Sequence, residues 1–272
     1  MGSITMCDLL RSDRTLRLAD LMKPSPPSVR PETDQEHVAS WALKHNVASA
    51  PVVSASGQLL GAVPPLALLH VLRHEHIEDL HRLAGILHEN RSAIAAIEGP
   101  SFSRARHRLP WLLVGLVGSA LATLIMSSFE TMLQARVAIA FFLPGIVYIA
   151  DAMGTQTEAI AVRGLSLSHA SIRDLLAREL WTGVLIGAVL GTVAAAAVWS
   201  ILGDRSLALA IGVAICPAGA IATAIGLLLP WTFQRLGFDP AYGSGPLATV
   251  IQDLLSLLVY FGCLAAFTPT VS

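Results

Sequence analysis

The last apolar stretch of the chain, Gly245 to Val271, contains a single formally charged residue, Asp253. A carboxylate at bilayer depth costs several kcal/mol unless it faces water, a cation or a partner, so Asp253 is a candidate functional residue from its setting alone. The competing reading is that it caps a broken helix or pairs with an arginine. A second acidic set lies in Val137 to Val162, where Asp151, Thr155 and Glu158 fall at i, i+4 and i+7 on one helical face. A polar face on an apolar helix points to a pore, a cavity or a neighbouring helix. One reading is a pore wall carrying extra negative charge, which would alter cation affinity, ion preference or proton coupling. In the other, Glu158 pairs with Arg163 and Asp151 is satisfied within the bundle. Asp239, in Gly237-Phe238-Asp239-Pro240, has the form of an N-cap before a proline at the first helical position. His70, His74, His81 and His88 share a helical face with Glu78 and Glu89 beside it. Such spacing suits a transition-metal site or a pH sensor, or else a solvated or dimer-facing surface.

The elements that must position these groups follow from composition. The chain is 54% hydrophobic and only 14% charged, with a mean hydropathy of +0.63, too apolar for an ordinary soluble domain. Crossing a bilayer as helix takes roughly 20 apolar residues. Leu109 to Phe129, Leu180 to Leu202, Leu207 to Leu229 and Gly245 to Val271 qualify with at most one charge each, and Val137 to Val162 qualifies while carrying Asp151 and Glu158. Five crossings place the two ends of the chain on opposite sides. Arg104, Arg106, Arg108, Arg163, Arg173, Arg178 and Arg235 fall on one side of these spans, and Arg136 and Arg205 on the other. Because basic residues are retained in the cytoplasm, this asymmetry predicts a cytoplasmic N-terminal region. The net charge of -1 gives no sign of nucleic-acid binding. Cys7, Cys216 and Cys263 are scattered and form no disulfide framework. Gly183, Gly187 and Gly191 make two overlapping GxxxG steps, a packing seam. Pro144, Pro217 and Pro230 are candidate helix breaks.

The first hundred residues are of different material. Lys23 to Pro31 contains four prolines and reads as extended chain. Thr33 to Lys44 has helical spacing, with Thr33 as N-cap and Glu36 completing a capping box. Ala50 to Ser54 and Leu59 to Val63 read as strands around a turn containing Gly57, and Pro64 to His88 or beyond as a long helix. The predicted class is a mainly α membrane protein: five transmembrane helices preceded by a small α/β cytoplasmic domain. The predicted domains are 1–90 with the long helix, a connector over 91–108, and the membrane domain over 109–272. No nucleophile, base and orienter set and no phosphate loop argues for an enzyme.

The order helix, strand, turn, strand, helix resembles one CBS repeat. Phrases along nearly the whole chain resemble the MgtE family of magnesium transporters in the same order: Leu18-Ala19-Asp20-Leu21-Met22, Pro51-Val52-Val53, Leu60-Gly61, Pro110-Trp111-Leu112, Phe129-Glu130, Val162-Arg163-Gly164-Leu165, Gly237-Phe238-Asp239-Pro240-Ala241, and Gly245-Pro246-Leu247 leading to Asp253. The resemblance implies a homodimer in the cell (inner) membrane whose ten helices enclose a divalent-cation pore, with CBS domains that close it when magnesium is plentiful. It implies Mg²⁺ as the transported ion, with a further regulatory role open, and no organic cofactor. Mg²⁺ dehydrates reluctantly and keeps several waters beside one or two carboxylates. Two copies of Asp253 at the dimer axis would hold it through those waters. The resemblance also places Asp239 near the inner mouth, backbone carbonyls around Gly245 and Thr249 toward the pore, and the long helix after the second strand as the element that blocks the closed pore.

The sequence departs from the family pattern in chemically meaningful places. The Gly-Gly-Asn run typical of the second span is here Ala150-Asp151-Ala152, followed by Gly154 and Gln156. Gly245 stands where relatives often carry Asn, which removes an amide ligand. Only the tail of a first CBS repeat, Met6 to Arg14, precedes the second. Pro64-Pro65-Leu66-Ala67 lacks the carboxylate that would hold a nucleotide ribose. These departures point to weak or absent magnesium gating. They keep two further readings open beside magnesium transport: transport of another divalent cation such as Co²⁺, Mn²⁺ or Zn²⁺, and a transport-inactive regulatory paralogue.

Overall fold

The structure is a computed structural model and describes residues 2–24, 26–86, 98–167, 170–242 and 244–267. The chain divides into two compact units, Met1–Ile77 and Glu78–Ser272.

In the first unit, β1 (Gly2–Ser3) pairs with β2 (Lys23–Pro24) around α1 (Met6–Arg11) and α2 (Leu18–Leu21). Helix α3 (Gln35–Lys44) follows, then an antiparallel hairpin of β3 (Ala50–Val53) and β4 (Leu59–Val63). The hairpin turn closes with Gly57 at φ +80°, where glycine has no Cβ penalty. Val29 joins the edge of β3 through Val29 N–H to Pro51 O and Val53 N–H to Val29 O, both 2.9 Å. A small core of Val29, Val38, Ala39, Ala42, Ala50 and Leu68 fills the space beneath. The N-cap of α3 is Asp34, whose Oδ1 accepts from Glu36 N–H at 2.9 Å, and not Thr33 as the capping-box pattern predicted. Thr33 Oγ1 instead accepts from Arg30 N–H in the preceding turn, so its hydroxyl is engaged before the helix begins.

Helix α4 (Pro65–Leu83) is long but stops earlier than expected. Ile86 N–H reaches His81 O at 2.8 Å, Gly85 N–H reaches Arg82 O at 3.0 Å, and Gly85 sits at φ +69°. This is a Schellman ending with glycine in the left-handed position. His88 and Glu89 lie outside the described residues, so the histidine stripe is described only as His70, His74 and His81.

Among the described residues, the second unit contains five helices long and apolar enough to span a membrane: α5 (Ser101–Ser128), α7 (Ala138–Leu167), α8 (Ile172–Leu202), α9 (Arg205–Arg235) and α10 (Ser244–Phe267), with the short α6 (Glu130–Ala135) after α5. Helices α5, α7, α8 and α9 run past their apolar windows at one end or both, because polar helix ends continue beyond the hydrocarbon. Pro144, Pro217 and Pro230 lie inside continuous helices and do not end them. Neighbouring helices allow a bilayer helix to absorb a missing N–H.

Helix α9 is the axis of the bundle, with a long buried row from Leu207 to Pro230. The predicted glycine seam of α8 packs on it. A Cβ at Gly183 would come 2.7 Å from Ala220 Cα and one at Gly187 2.7 Å from Cys216 Cα, while Gly191 meets Gly212 backbone to backbone. Between α7 and α9, Gly226 lies against the Gly154 carbonyl. Between α7 and α10, Gly154 makes room for the Gln252 amide. Ile139, Leu143, Ile146, Ile211, Ile215, Tyr260, Phe261 and Leu264 form the apolar core. Tyr260 Oη donates to Ile139 O at 2.9 Å, and Phe129 stacks on Phe261 at 4.2 Å between ring centres.

Candidate cation cavity

Helix α10 presents two faces. Ala248, Gln252, Ser256 and Tyr260 turn inward and are buried. Gly245, Thr249 and Asp253, also four residues apart, line a cavity of about 580 Å³. Helix α7 contributes Thr155, Glu158 and Ala159 to it, α5 contributes Trp111, Leu112, Gly115, Gly118, Ser119 and Ala122, and Leu83 and Ala84 also line it. Two carboxylates, two threonines and a serine face this space, and among the described residues no basic side chain lines it. The cavity is suited to a cation.

Asp253 is partly buried. Glu158 is 3% exposed. Its Oε1 has no hydrogen-bond partner. The expected alternative partner, Arg163, pairs with Asp79 of α4 at 2.9 Å. Asp151 lies one turn from Thr155 and does not line the cavity. Its Oδ1 is buried without a partner. Thus the α7 face predicted from spacing divides into two cavity residues and one acid behind them.

Asp239 does not line the cavity and does not cap α10, which starts at Ser244. In the turn before α10 its Oδ1 accepts from Ala241 N–H at 2.7 Å, while its Oδ2 pairs with Arg82 of α4. Arg82 also pairs with Glu78. Among the described residues, no three His, Cys, Asp or Glu side chains gather closely enough to hold a metal ion by themselves. The histidine stripe therefore forms no such centre there. An ion in the cavity would retain much of its water, as Mg²⁺ prefers.

Four residues that sequence reasoning missed complete the picture. Arg82 ties the last turn of α4 to Asp239. Gly85 lets the chain turn closely against Trp111 and Pro246, since a Cβ there would come 2.6 Å from Pro246 Cγ. Ser244 is fully buried with an unpartnered Oγ. Gln252 donates weakly to Ala222 O at 3.4 Å while its Oε1 is unpartnered. The Gly85 signal was visible as a glycine following a basic last turn. Ser244 and Gln252 offered none, because uncharged polar residues are common in spans.

Five long apolar helices, three of which line an acidic cavity, define a multi-pass membrane protein. Residues 143–263 match the family model described as MgtE, a divalent cation transporter. The membrane unit thus carries an MgtE family domain over residues 143–263. The chain is 33% identical over 271 residues to the magnesium transporter MgtE of Enterococcus faecalis, covering 98% of this chain and 58% of that protein. It is 32% identical over 272 residues to that of Bacillus subtilis, with 98% and 59% covered, and 30% identical over 263 residues to that of Thermus thermophilus, with 95% and 57% covered. The chain thus spans less than two thirds of the length of the curated relatives it matches.

Proposed function

We propose that this chain carries Mg²⁺ across the membrane through the cavity, with Asp253 as the central ligand, acting on the ion through its waters. The observation that carries this reading is Asp253 and Glu158 sharing one membrane cavity with no basic residue among the described residues of its lining. Two acids in low dielectric favour a cation between or beside them over mutual repulsion. Kinship with proteins named as magnesium transporters supports Mg²⁺ as the ion.

The working unit in this reading is a homodimer in the inner membrane, with two Asp253 residues across the axis and the N-terminal unit in the cytoplasm as a reduced CBS-like module. Gly245 and Thr249 extend the ion path along α10. The end of α4 is its stopper in this reading: Leu83 and Ala84 line the cavity, and Arg82 beside them pairs with Asp239. Asp239 is then a gate residue and not an ion ligand. Asp151 tunes the field on the two cavity carboxylates.

The test is Mg²⁺ uptake into proteoliposomes, with Co²⁺, Mn²⁺ and Zn²⁺ as competitors. Asp253→Ala is expected to abolish flux while the dimer still elutes intact. Undiminished flux in that variant removes the proposal. Absence of any divalent flux from folded wild-type protein favours the transport-inactive reading instead.

A further inference from the structure

We propose that the cavity binds a linear aliphatic diammonium of the polyamine class end to end, with one ammonium at Glu158, the other at Asp253 and the methylenes along the wall between them. The two carboxylates belong to different levels of the cavity. Glu158 Oε1 lies 3.9 Å from where a Cβ of Gly245 would stand. Gly245 precedes Asp253 by eight residues on α10, about 12 Å at about 1.5 Å per residue. Glu158 is 3% exposed and its Oε1 has no hydrogen-bond partner, so a donor that reached it would recover the cost of leaving it unpaired. Among the described residues, no Lys or Arg lines the cavity to supply that donor.

The space between the two acids is suited to an organic ligand. Trp111 and Pro246 both lie against Gly85, which puts the indole at the Glu158 end. Leu112 and Val250 also line the wall, and α5 brings to it the small residues Gly115, Ser119 and Ala122 at i, i+4 and i+7. An apolar wall suits methylenes, and an indole suits both methylenes and an ammonium. An ion with six waters fills roughly 180 Å³ at about 30 Å³ per water. The cavity is about 580 Å³, within the range of organic-ligand sites. A hydrated metal ion meets one acid at a time, whereas a flexible dication held at one acid is presented to the other at high effective concentration. The diammonium site rests on the acidic cavity of the transport reading yet requires no ion movement, so binding without flux, or flux without binding, separates the two claims.

The experiment is calorimetric titration of the full chain in nanodiscs of zwitterionic lipid, freed of divalent ions by chelator. The probes are α,ω-diaminoalkanes from diaminopropane to diaminododecane, with n-alkylamines of matching length as controls. Affinity is expected to peak at one chain length and there to exceed that of the matching alkylamine about tenfold or more, the worth of a second charge-assisted contact. Asp253→Asn and Glu158→Gln are each expected to bring the diamine down to the level of the alkylamine. Equal affinity of diamines and alkylamines, a rise with length that shows no peak, or undiminished diamine binding in Asp253→Asn overturns the site. Should Glu158→Gln fail to fold, the length series and Asp253→Asn decide alone. Absence of binding by every diamine overturns it as well, whatever the flux of Mg²⁺.

Discussion

Asp253 was legible because it is the lone charge in a long apolar run, and a charge there needs a reason. Glu158 and Thr155 were legible by helical spacing alone, since the period that groups them also turns them into the cavity. Spacing could not say that Asp151, on the same stripe, falls behind the lining, because that depends on how α7 is rotated against α9 and α10. It also could not find Ser244 or Gln252, whose importance lies in being buried without a partner. Since Asp151 shares the helical face of Glu158 with a buried, unpartnered Oδ1 and does not line the cavity, Asp151→Asn is expected to alter the competition of Co²⁺ and Mn²⁺ against Mg²⁺ while leaving flux measurable. Complete loss of flux from a folded Asp151→Asn protein would make Asp151 a ligand instead.

The elements were located well and their ends poorly. All five spans were read from hydropathy, and β4 was read residue for residue, because burial imposes a period on sequence. The end of α4 was misread because the histidine spacing continues past Gly85, while the left-handed glycine at φ +69° stops the helix regardless. That ending fixes where Arg82 points. Breaking its pairing with Asp239 through Arg82→Ala or Asp239→Ala is expected to speed amide exchange over residues 79–86, and the double variant to exchange no faster than either single one. Additive effects in this double-mutant cycle would show that the two side chains are not coupled. The glycine seam was read correctly as packing. Gly187→Leu must push α8 off Cys216 of α9, where a Cβ already comes within 2.7 Å of backbone. It is expected to destabilise the membrane domain by about 1–3 kcal/mol or more, seen as a lower unfolding midpoint in detergent, with Gly262→Leu as the harmless control because nothing lies within 4 Å of a Cβ there.

For the whole molecule, the positive-inside asymmetry makes a direct claim that native thiols can test. Cys7 is exposed, while Cys216 and Cys263 are partly buried within spans. A bulky membrane-impermeant maleimide is expected to label intact cells poorly and to label Cys7 once the cytoplasmic side is opened. Efficient labelling of Cys7 in intact cells would invert the topology. Family, membrane class and five-helix count were all available from order and composition, whereas the closeness of the packing was not, because glycine contacts appear only when helices meet. Those contacts carry a consequence for kinetics. With Gly191 on Gly212, Gly226 on Gly154 and the Gln252 amide lodged against Gly154, α7, α8, α9 and α10 have no slack in which to rock past one another. If the proposed stopper moves while these walls stay fixed, the protein works as a valve and not as a turnstile, and its throughput once open is expected to follow the ion gradient without a protein cycle per ion and to rise only gently with temperature.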